Sequence, residues 1–317
     1  MPDLTRRTLL AGAAATGAFA STASFAQGDM VEATPDLTGK AILITGTSSG
    51  FGRLASEHFA RMGATVYATM RNTPRPEAEE LQQLASDESL DIRVLRLDVL
   101  LDNEVQEAVA TAERELGRGL DVLVNNAGIA KLGPVEHIDR KEFSQHLDTM
   151  VVGTFNCVQV FLPLLGSANR NQRPGKIINI SSGGGTIGQP FMASYCSSKH
   201  ALEVFSESLR RELMIYKIDV IIVAPRSFKT PIWAKSNIDE RVSLFGKTNY
   251  KKSFSNFSKY VTSLSEGGED VSVLAQKIYH ISKKRRPKAK YSFGPSGVQF
   301  FLIRYLPKAF SDRLLAK

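Results

Sequence analysis

Short apolar runs alternate along this chain with segments whose apolar residues recur at helical spacing. KAILITG (residues 40–46) has the continuous hydrophobicity of a buried strand, and FGRLASEHFARMG just beyond it has the period of a helix. The strand pattern returns in ATVYATMR, LDIRVLRLDV, GLDVLVNNAG, KIINISS and KIDVIIVAP, which predicts six strands in all. A long helical region covers roughly residues 140–165, and MASYCSSKHALEVF (192–205) opens another helix. Strands apolar on both faces belong to a parallel sheet covered by helices on both sides. Right-handed crossovers make that sheet doubly wound, an α/β fold of three αβα layers. No internal repeat is present, and no linker splits off a second domain. From about Ser236 the pattern loosens. KYSFGPSGVQFFLIRYLPKAF (290–310) is apolar and aromatic, and could cover a pocket, pair subunits or touch a membrane.

Composition narrows the classes without changing the fold. A chain of 317 residues, 43% hydrophobic and 23% charged, can build a sizeable core. The net charge of +8 raises the question of an anionic partner. Six of the basic residues crowd into KKRRPKAK (283–290), which reads as a solvated basic loop, with contact to an anionic surface as the lesser alternative. No nucleic-acid-binding motif accompanies it, so nucleic acid is not an expected partner. Cys157 and Cys196 lie far apart in helix-like segments and predict buried thiols; neither a disulfide nor a metal site is expected from them.

The N-terminus stands apart. TRRTLLAGAAATGAFASTASFAQG joins the pair Arg6–Arg7 to a small-residue apolar run too short to span a membrane. The charged start, apolar middle and small residues near Ala26 predict an export signal over residues 1–26, and the arginine pair points to the twin-arginine route and a periplasmic protein. Residues 27–37 would then be a linker. The alternatives are an unstructured tail, or a cytoplasmic form translated from Met30. N-terminal sequencing of the mature protein separates the three.

TGTSSGFG (45–52) joins the first expected strand to the first helix. Glycines at Gly46, Gly50 and Gly52 allow a tight turn and close approach of a pyrophosphate, seated at the helix N-terminus. In this strand–turn–helix setting the glycines point to a dinucleotide. An acidic residue at the end of the second strand would hold the ribose hydroxyls of NAD. Here that strand ends ATMRN, with Arg71 and no carboxylate. A guanidinium can bind a 2′-phosphate with paired hydrogen bonds, and Ser48 could add a hydroxyl, so NADP(H) is favoured over NAD(H). The structural alternative for Arg71 is a solvated loop arginine.

Tyr195 and Lys199, four residues apart, would share one helix face. That spacing alone does not distinguish a proton-transfer pair from an ordinary helix. The motifs in sequence order do more. The glycine turn resembles T-G-x-x-x-G-x-G of the short-chain dehydrogenase/reductase family. LDV with Asp98 resembles the family's adenine-contacting element, NNAG (125–128) its sheet-stabilising and cofactor-lining turn, and Ser182 with Y-x-x-x-K its catalytic set. The resemblance covers roughly residues 38–232, and YATMRN, VVGT and YCSSKHALEVFSESLRREL are closest to the 17β-hydroxysteroid and retinol dehydrogenase branch. It implies a Rossmann-type catalytic domain over residues 38–235, with 236–317 as a C-terminal extension of the same domain that covers the substrate. It also implies dimers or tetramers.

Site residues follow from the same resemblance. Gly46, Ser48, Ser49, Gly50, Phe51 and Gly52 would hold the cofactor phosphates, and Arg71 its 2′-phosphate. Asp98 and Val99 would lie at the adenine, Asn125, Ala127 and Gly128 along the cofactor, and Thr230 near the carboxamide. Ser182, Tyr195 and Lys199 would be catalytic, the last two also touching the cofactor. A free tyrosine has a pKa near 10, too high for efficient acid–base work at neutral pH. A neighbouring ammonium and the oxidised nicotinamide ring lower it. Ser182 would fix the substrate oxygen against Tyr195.

Two positions depart from the family pattern. Met150 stands where a proton-relaying asparagine is usual, and a thioether cannot donate. The relay would be weakened, rerouted or taken over by Asp148 or Thr149. Arg226 follows Pro225 where glycine is usual, and either narrows the nicotinamide site, meets an anionic substrate or faces solvent. The expected activity is hydride transfer between NADP(H) and a ketone or secondary alcohol, lipophilic if the C-terminal segment covers it. The alternative is a low-turnover NADP-binding sensor or scaffold.

Overall fold

The structure, a computed structural model, describes residues 36–168, 173–294 and 305–315. The expected export signal (1–26), most of the expected linker, and residues 295–304 of the aromatic C-terminal segment lie outside the described residues. Seven parallel strands form one sheet in the order β3-β2-β1-β4-β5-β6-β7. They are β1 (Ala41–Thr45), β2 (Thr65–Met70), β3 (Ile92–Arg96), β4 (Val122–Asn125), β5 (Lys176–Ile180), β6 (Asp219–Pro225) and β7 (Lys290–Phe293). The six expected strands are all present.

β1 is buried at every position because helices cover both faces. Ile42 and Ile44 pack on one side with Phe59, Leu274 and Ile278. Ala41 and Leu43 pack on the other with Phe161, Leu165 and Leu209. The first layer is built from α1 (Gly50–Arg61), α2 (Pro76–Asp87) and, far along the chain, α9 (Val271–Lys283); the second from α3 (Asp102–Leu116), α5 (Gly153–Phe161) and α6 (Ala193–Glu212). After β3 the chain returns to the other side of β1, so β1 and β4 are neighbours whose following connections diverge. A cleft opens outside the carboxyl ends of strands at such a point.

Two features differ from the sequence reading. The head of the segment expected as a cap is the edge strand β7, paired with β6 from Ile222↔Lys290 to Pro225↔Phe293. Four residues are too few for a period-2 pattern to declare itself, and the basic loop before them hides the start. The long middle helix is also not uniform. Between α4 (Arg140–Leu147) and α5 lies a π-helical turn, Asp148–Val152, which holds Met150 buried. Past β6, α7 (Ile238–Phe245) and α8 (Lys251–Glu266) form an aromatic lobe in which Phe254 packs edge-on to Phe191 and Phe245.

Candidate active site

The turn after β1 is shaped by its glycines. Gly46 has a φ of +72°, and a Cβ there would come 2.8 Å from the Cα of Ala127. Gly50 has a φ of +59°, and a Cβ on Gly52 would lie 2.4 Å from the carbonyl oxygen of Gly46. Only glycine fits these positions, and the backbone is thereby drawn close to the cleft. Ser49 precedes α1 without capping it through its side chain, so the first N–H groups of this twelve-residue helix keep their capacity for an anion. The Thr45 hydroxyl accepts from the backbone N–H groups of Asn126 and Ala127, each at 3.0 Å, which ties the glycine turn to the end of β4. The geometry fits a dinucleotide pyrophosphate.

A cleft of about 500 Å³ runs along these strand ends. It gathers most of the expected residues: Gly46, Ser48, Ser49, Gly50 and Phe51 from the turn; Arg71; Asp98 and Val99; Ala127 and Gly128; and Ser182, Tyr195, Lys199 and Thr230. Two expected cofactor residues do not line it. Gly52 lies beneath the turn, where its missing side chain lets α1 meet Gly46. Asn125 is buried in the sheet, donating to Asn179 Oδ1 at 2.8 Å. Its neighbour Asn126 lines the cleft instead and donates to the Thr45 and Gly46 carbonyls. Side chains alternate along a strand, so adjacent asparagines at its end face different ways.

At the carboxyl end of β2, Met70 is buried and Arg71 exposed. The Arg71 side chain makes no hydrogen bond or ion pair to another described residue, whereas Arg75, also on the cleft, is paired with Glu77 at 2.7 Å. That pairing holds the Glu77 carboxyl down at about 2. A second unforeseen cation, Lys235, reaches from beyond β6 to donate to Ser49 Oγ at 2.6 Å.

Ser182 follows β5 and accepts from the Gly184 N–H at 3.2 Å. A Cβ on Gly184 would be 3.1 Å from a ring carbon of Tyr195, so the glycine run lets the backbone pass against the phenol. Tyr195, in the first turn of α6, is buried, and burial pushes its hydroxyl up to about 12 against the opposing hydrogen bond with Ser182. Lys199, one turn on, donates to the Ile180 carbonyl at 2.8 Å. Burial pushes its ammonium down to about 8, with Glu203 acting the other way. Its Nζ lies 5.9 Å from the centre of the Tyr195 ring. Such a pair can donate a proton to a carbonyl oxygen and stabilise the phenolate left behind.

Met150, like this lysine, approaches Gly128. Its Cγ and the Lys199 Nζ each lie 4.0 Å from the place a Cβ on Gly128 would occupy. Its sulfur receives a hydrogen bond from Ser198 Oγ at 3.4 Å. Of the two polar substitutes considered for the missing asparagine, Thr149 lines the cleft and Asp148 is not among its lining residues. Arg226 also lines the cleft, and burial holds its guanidinium below its usual value. Trp233, whose ring is 5.7 Å from that of Tyr195, lines the cleft with Ile232. Sequence reasoning named Asn126 only as part of the NNAG motif and passed over Arg75, Lys131, Trp233 and Lys235; the only tryptophan of the chain, three residues after Thr230, was the available signal for Trp233.

Residues 40–241 match the family described as short chain dehydrogenase. An NADPH-dependent 3-dehydrocapnine reductase of Ornithobacterium rhinotracheale is 33% identical over 87% of this chain and 94% of its own length. A 3-ketodihydrosphingosine reductase of Bacteroides thetaiotaomicron is 34% identical over 80% of this chain and 87% of its own. Among solved structures, a short-chain dehydrogenase of Streptomyces avermitilis superposes with a TM-score of 0.68 at 28% identity, covering 86% of this chain and 92% of that one.

Proposed function

The chain belongs to the short-chain dehydrogenase family, and from that premise we propose that it is an NADPH-preferring reductase of a ketone with an apolar body. The carrying observation is the convergence of Ser182, Tyr195 and Lys199 on one cleft with the glycine turn. The cofactor supplies the hydride when bound. The Gly46–Gly52 turn and the start of α1 would seat its pyrophosphate, and Arg71 the 2′-phosphate, because no carboxylate ends β2 to repel it. Ser182 would hold the substrate oxygen within reach of the Tyr195 hydroxyl, which gives up its proton. The Lys199 ammonium then faces a phenolate in a buried setting, where the attraction is stronger than in water. The apolar wall of Trp233 and Ile232, and the names of the two bacterial relatives, support a lipophilic ketone as substrate.

The test is nicotinamide absorbance with a panel of aliphatic ketones, using NADPH and NADH in parallel and Tyr195→Phe as control. Turnover with a clear advantage for NADPH, abolished in the control, is expected. Equal use of the two cofactors would remove the role given to Arg71. Cofactor binding without turnover on any ketone would favour the sensor reading, for which the buried thioether of Met150, where a relay asparagine is usual, is the motive.

A further inference from the structure

Parallel strands give the sheet two unlike ends. The cleft lies at the carboxyl ends, and a second recess of about 780 Å³ opens at the amino ends of β5 and β6 and at the approach to β7. No residue lines both. The second recess gathers cations from separate stretches of chain. Arg173 and Lys176 stand at the entry to β5, Arg210 in the last turn of α6, and Lys217 between α6 and β6. Lys283, Arg285 and Lys288 come from the end of α9 and the loop that follows it. Among the described residues of this lining, the carboxylate set against them is Asp219. The basic run 283–290 is therefore one wall of a larger positive surface that only the fold assembles.

Two of these cations are already engaged. Lys176 Nζ donates to the carbonyl oxygens of Ser282 and Lys284, at 2.6 and 2.5 Å, and Lys283 is paired with Asp36. Asp219 answers Lys176, whose charge opposes the upward push that burial gives its carboxyl. Next to Arg210, Arg211 takes Glu207, whereas Arg173, Arg210, Lys217, Arg285 and Lys288 form no ion pair among the described residues. Like charges gathered without counter-ions repel one another until an anion arrives. Lys217 adds a second sign. It closes the turn Leu213–Tyr216 in the left-handed region, with a φ of +59°. Glycine takes that conformation without steric cost, yet here a long cation occupies it at the recess. Met214, also lining the recess, and Ile215 beside it are 67% and 65% exposed, which sets an apolar rim among the charges.

We propose that this recess binds a phosphate monoester that carries an apolar body. The guanidinium groups of Arg210 and Arg285 can each hold phosphate oxygens through paired hydrogen bonds, and Lys217 and Lys288 add point charges. A doubly charged phosphate offsets several of these cations at once, which a single carboxylate does not. The rim of Met214 and Ile215 accommodates the organic part. A soluble phosphate ester and the head group of phosphatidic acid share this chemistry. The site is independent of the reductase reading, since it lies at the opposite end of the sheet from Ser182 and Tyr195.

The full-length protein is kept in excess NADP+, so that phosphate positions in the cleft are filled. One arm titrates it by calorimetry with hexyl phosphate and with hexanoate. The other mixes it with phosphatidylcholine vesicles, with and without phosphatidic acid, and measures co-sedimentation. Hexyl phosphate is expected to bind about tenfold or more tightly than hexanoate, as paired charge-assisted hydrogen bonds allow, or the acidic vesicles to carry down protein that the neutral ones leave behind. Selectivity in the soluble arm alone assigns a free ester, in the vesicle arm alone a lipid head group, and in both a site that accepts either. Arg210→Gln/Arg285→Gln should abolish the selectivity. Lys251→Gln/Lys252→Gln removes the same charge from α8, outside the recess, and should leave it unchanged. Lys217→Gly suits the left-handed backbone, so it should weaken phosphate binding with no loss of melting temperature. Absence of selectivity in both arms, its survival in Arg210→Gln/Arg285→Gln, or an equal loss in the two double variants would each overturn the site.

Discussion

The two halves of the cleft are built in different ways. The cofactor half is made of backbone: a glycine turn held to β4 by Thr45, a helix N-terminus, and strand ends whose spacing the sheet dictates. The substrate half is made of side chains such as Ile129, Ile232 and Trp233, which pack against a cluster that includes Phe245 of α7 and Phe254 of α8, themselves in ring contact at 4.8 Å. A backbone-built site tolerates few residue types, because a single methyl group collides with main-chain atoms. A side-chain wall tolerates any apolar residue of fitting volume. Tyr195 and Lys199 sit at the junction, on a helix that serves both halves.

That contrast predicts where substitutions hurt most. Tyr195→Phe keeps the ring and its packing against Trp233 but removes the proton donor. It should lower kcat/KM by roughly a thousandfold, within the range for general acid–base catalysis, with a melting temperature close to that of the parent. A residual rate within tenfold of the parent would show that the acid lies elsewhere. Gly52→Ala comes next. Its new methyl group would sit 2.4 Å from the Gly46 oxygen and 2.6 Å from Asn126 Nδ2, so the turn must shift. A stability loss of about 1–3 kcal/mol, the usual cost of overpacking, should accompany a marked loss of NADPH affinity by fluorescence titration. Unchanged affinity would mean that the turn is not the cofactor cradle.

The same contrast explains which parts were legible in the sequence. Gly46, Gly50 and Gly52 could be read because positive φ and close approach exclude other residues. The Tyr195–Lys199 pair could be read because one helix turn fixes their separation. Asn125 was assigned to the wrong surface, since a motif names both asparagines and only strand alternation distinguishes them. Lys131 and Lys235 could not be found by pattern, and Trp233 only as the lone tryptophan of the chain. They come together from β4 and from the segment after β6 only once the sheet order is known, and no local spacing encodes that approach. β7 was missed for the same reason, since its partner among the described residues is the distant β6.

The pH response separates catalysis from stability at the junction. Burial holds Lys199 at about 8, against 10.5 for an exposed lysine. Between these values the unfolded chain keeps the proton that the folded chain has lost, so the unfolded state binds more protons and stability rises with pH across that window. Below about 8 the cost of burying the charge is present in full. Ketone reduction runs the other way: it needs the ammonium, so kcat/KM should fall by about tenfold per pH unit above 8. Thermal melting and initial rates of the cofactor-free and turning-over protein, followed from pH 7 to 10, should therefore show opposite slopes. Lys199→Met should flatten this contribution to the melting curve. Parallel slopes would assign the alkaline limb to unfolding instead of to Lys199.

The smallest effect is expected at the wall, and it is the sharpest check on the contrast itself. Trp233 touches Tyr195 through a tilted ring contact at 5.7 Å and lines the cleft with Ile232. Trp233→Phe keeps an aromatic ring there and removes some volume. If side-chain walls are as tolerant as their construction implies, KM for an apolar ketone should rise by only about threefold, because one or two methylene equivalents in an apolar pocket have that order of effect. The kcat should stay nearly unchanged, since the Ser182–Tyr195 hydrogen bond does not depend on the indole. A kcat loss approaching that of Tyr195→Phe would mean that Trp233 positions the phenol as well as lining the pocket. The substrate half would then be as exacting as the cofactor half, and the distinction between backbone-built and side-chain-built surfaces would fail at the point where they meet.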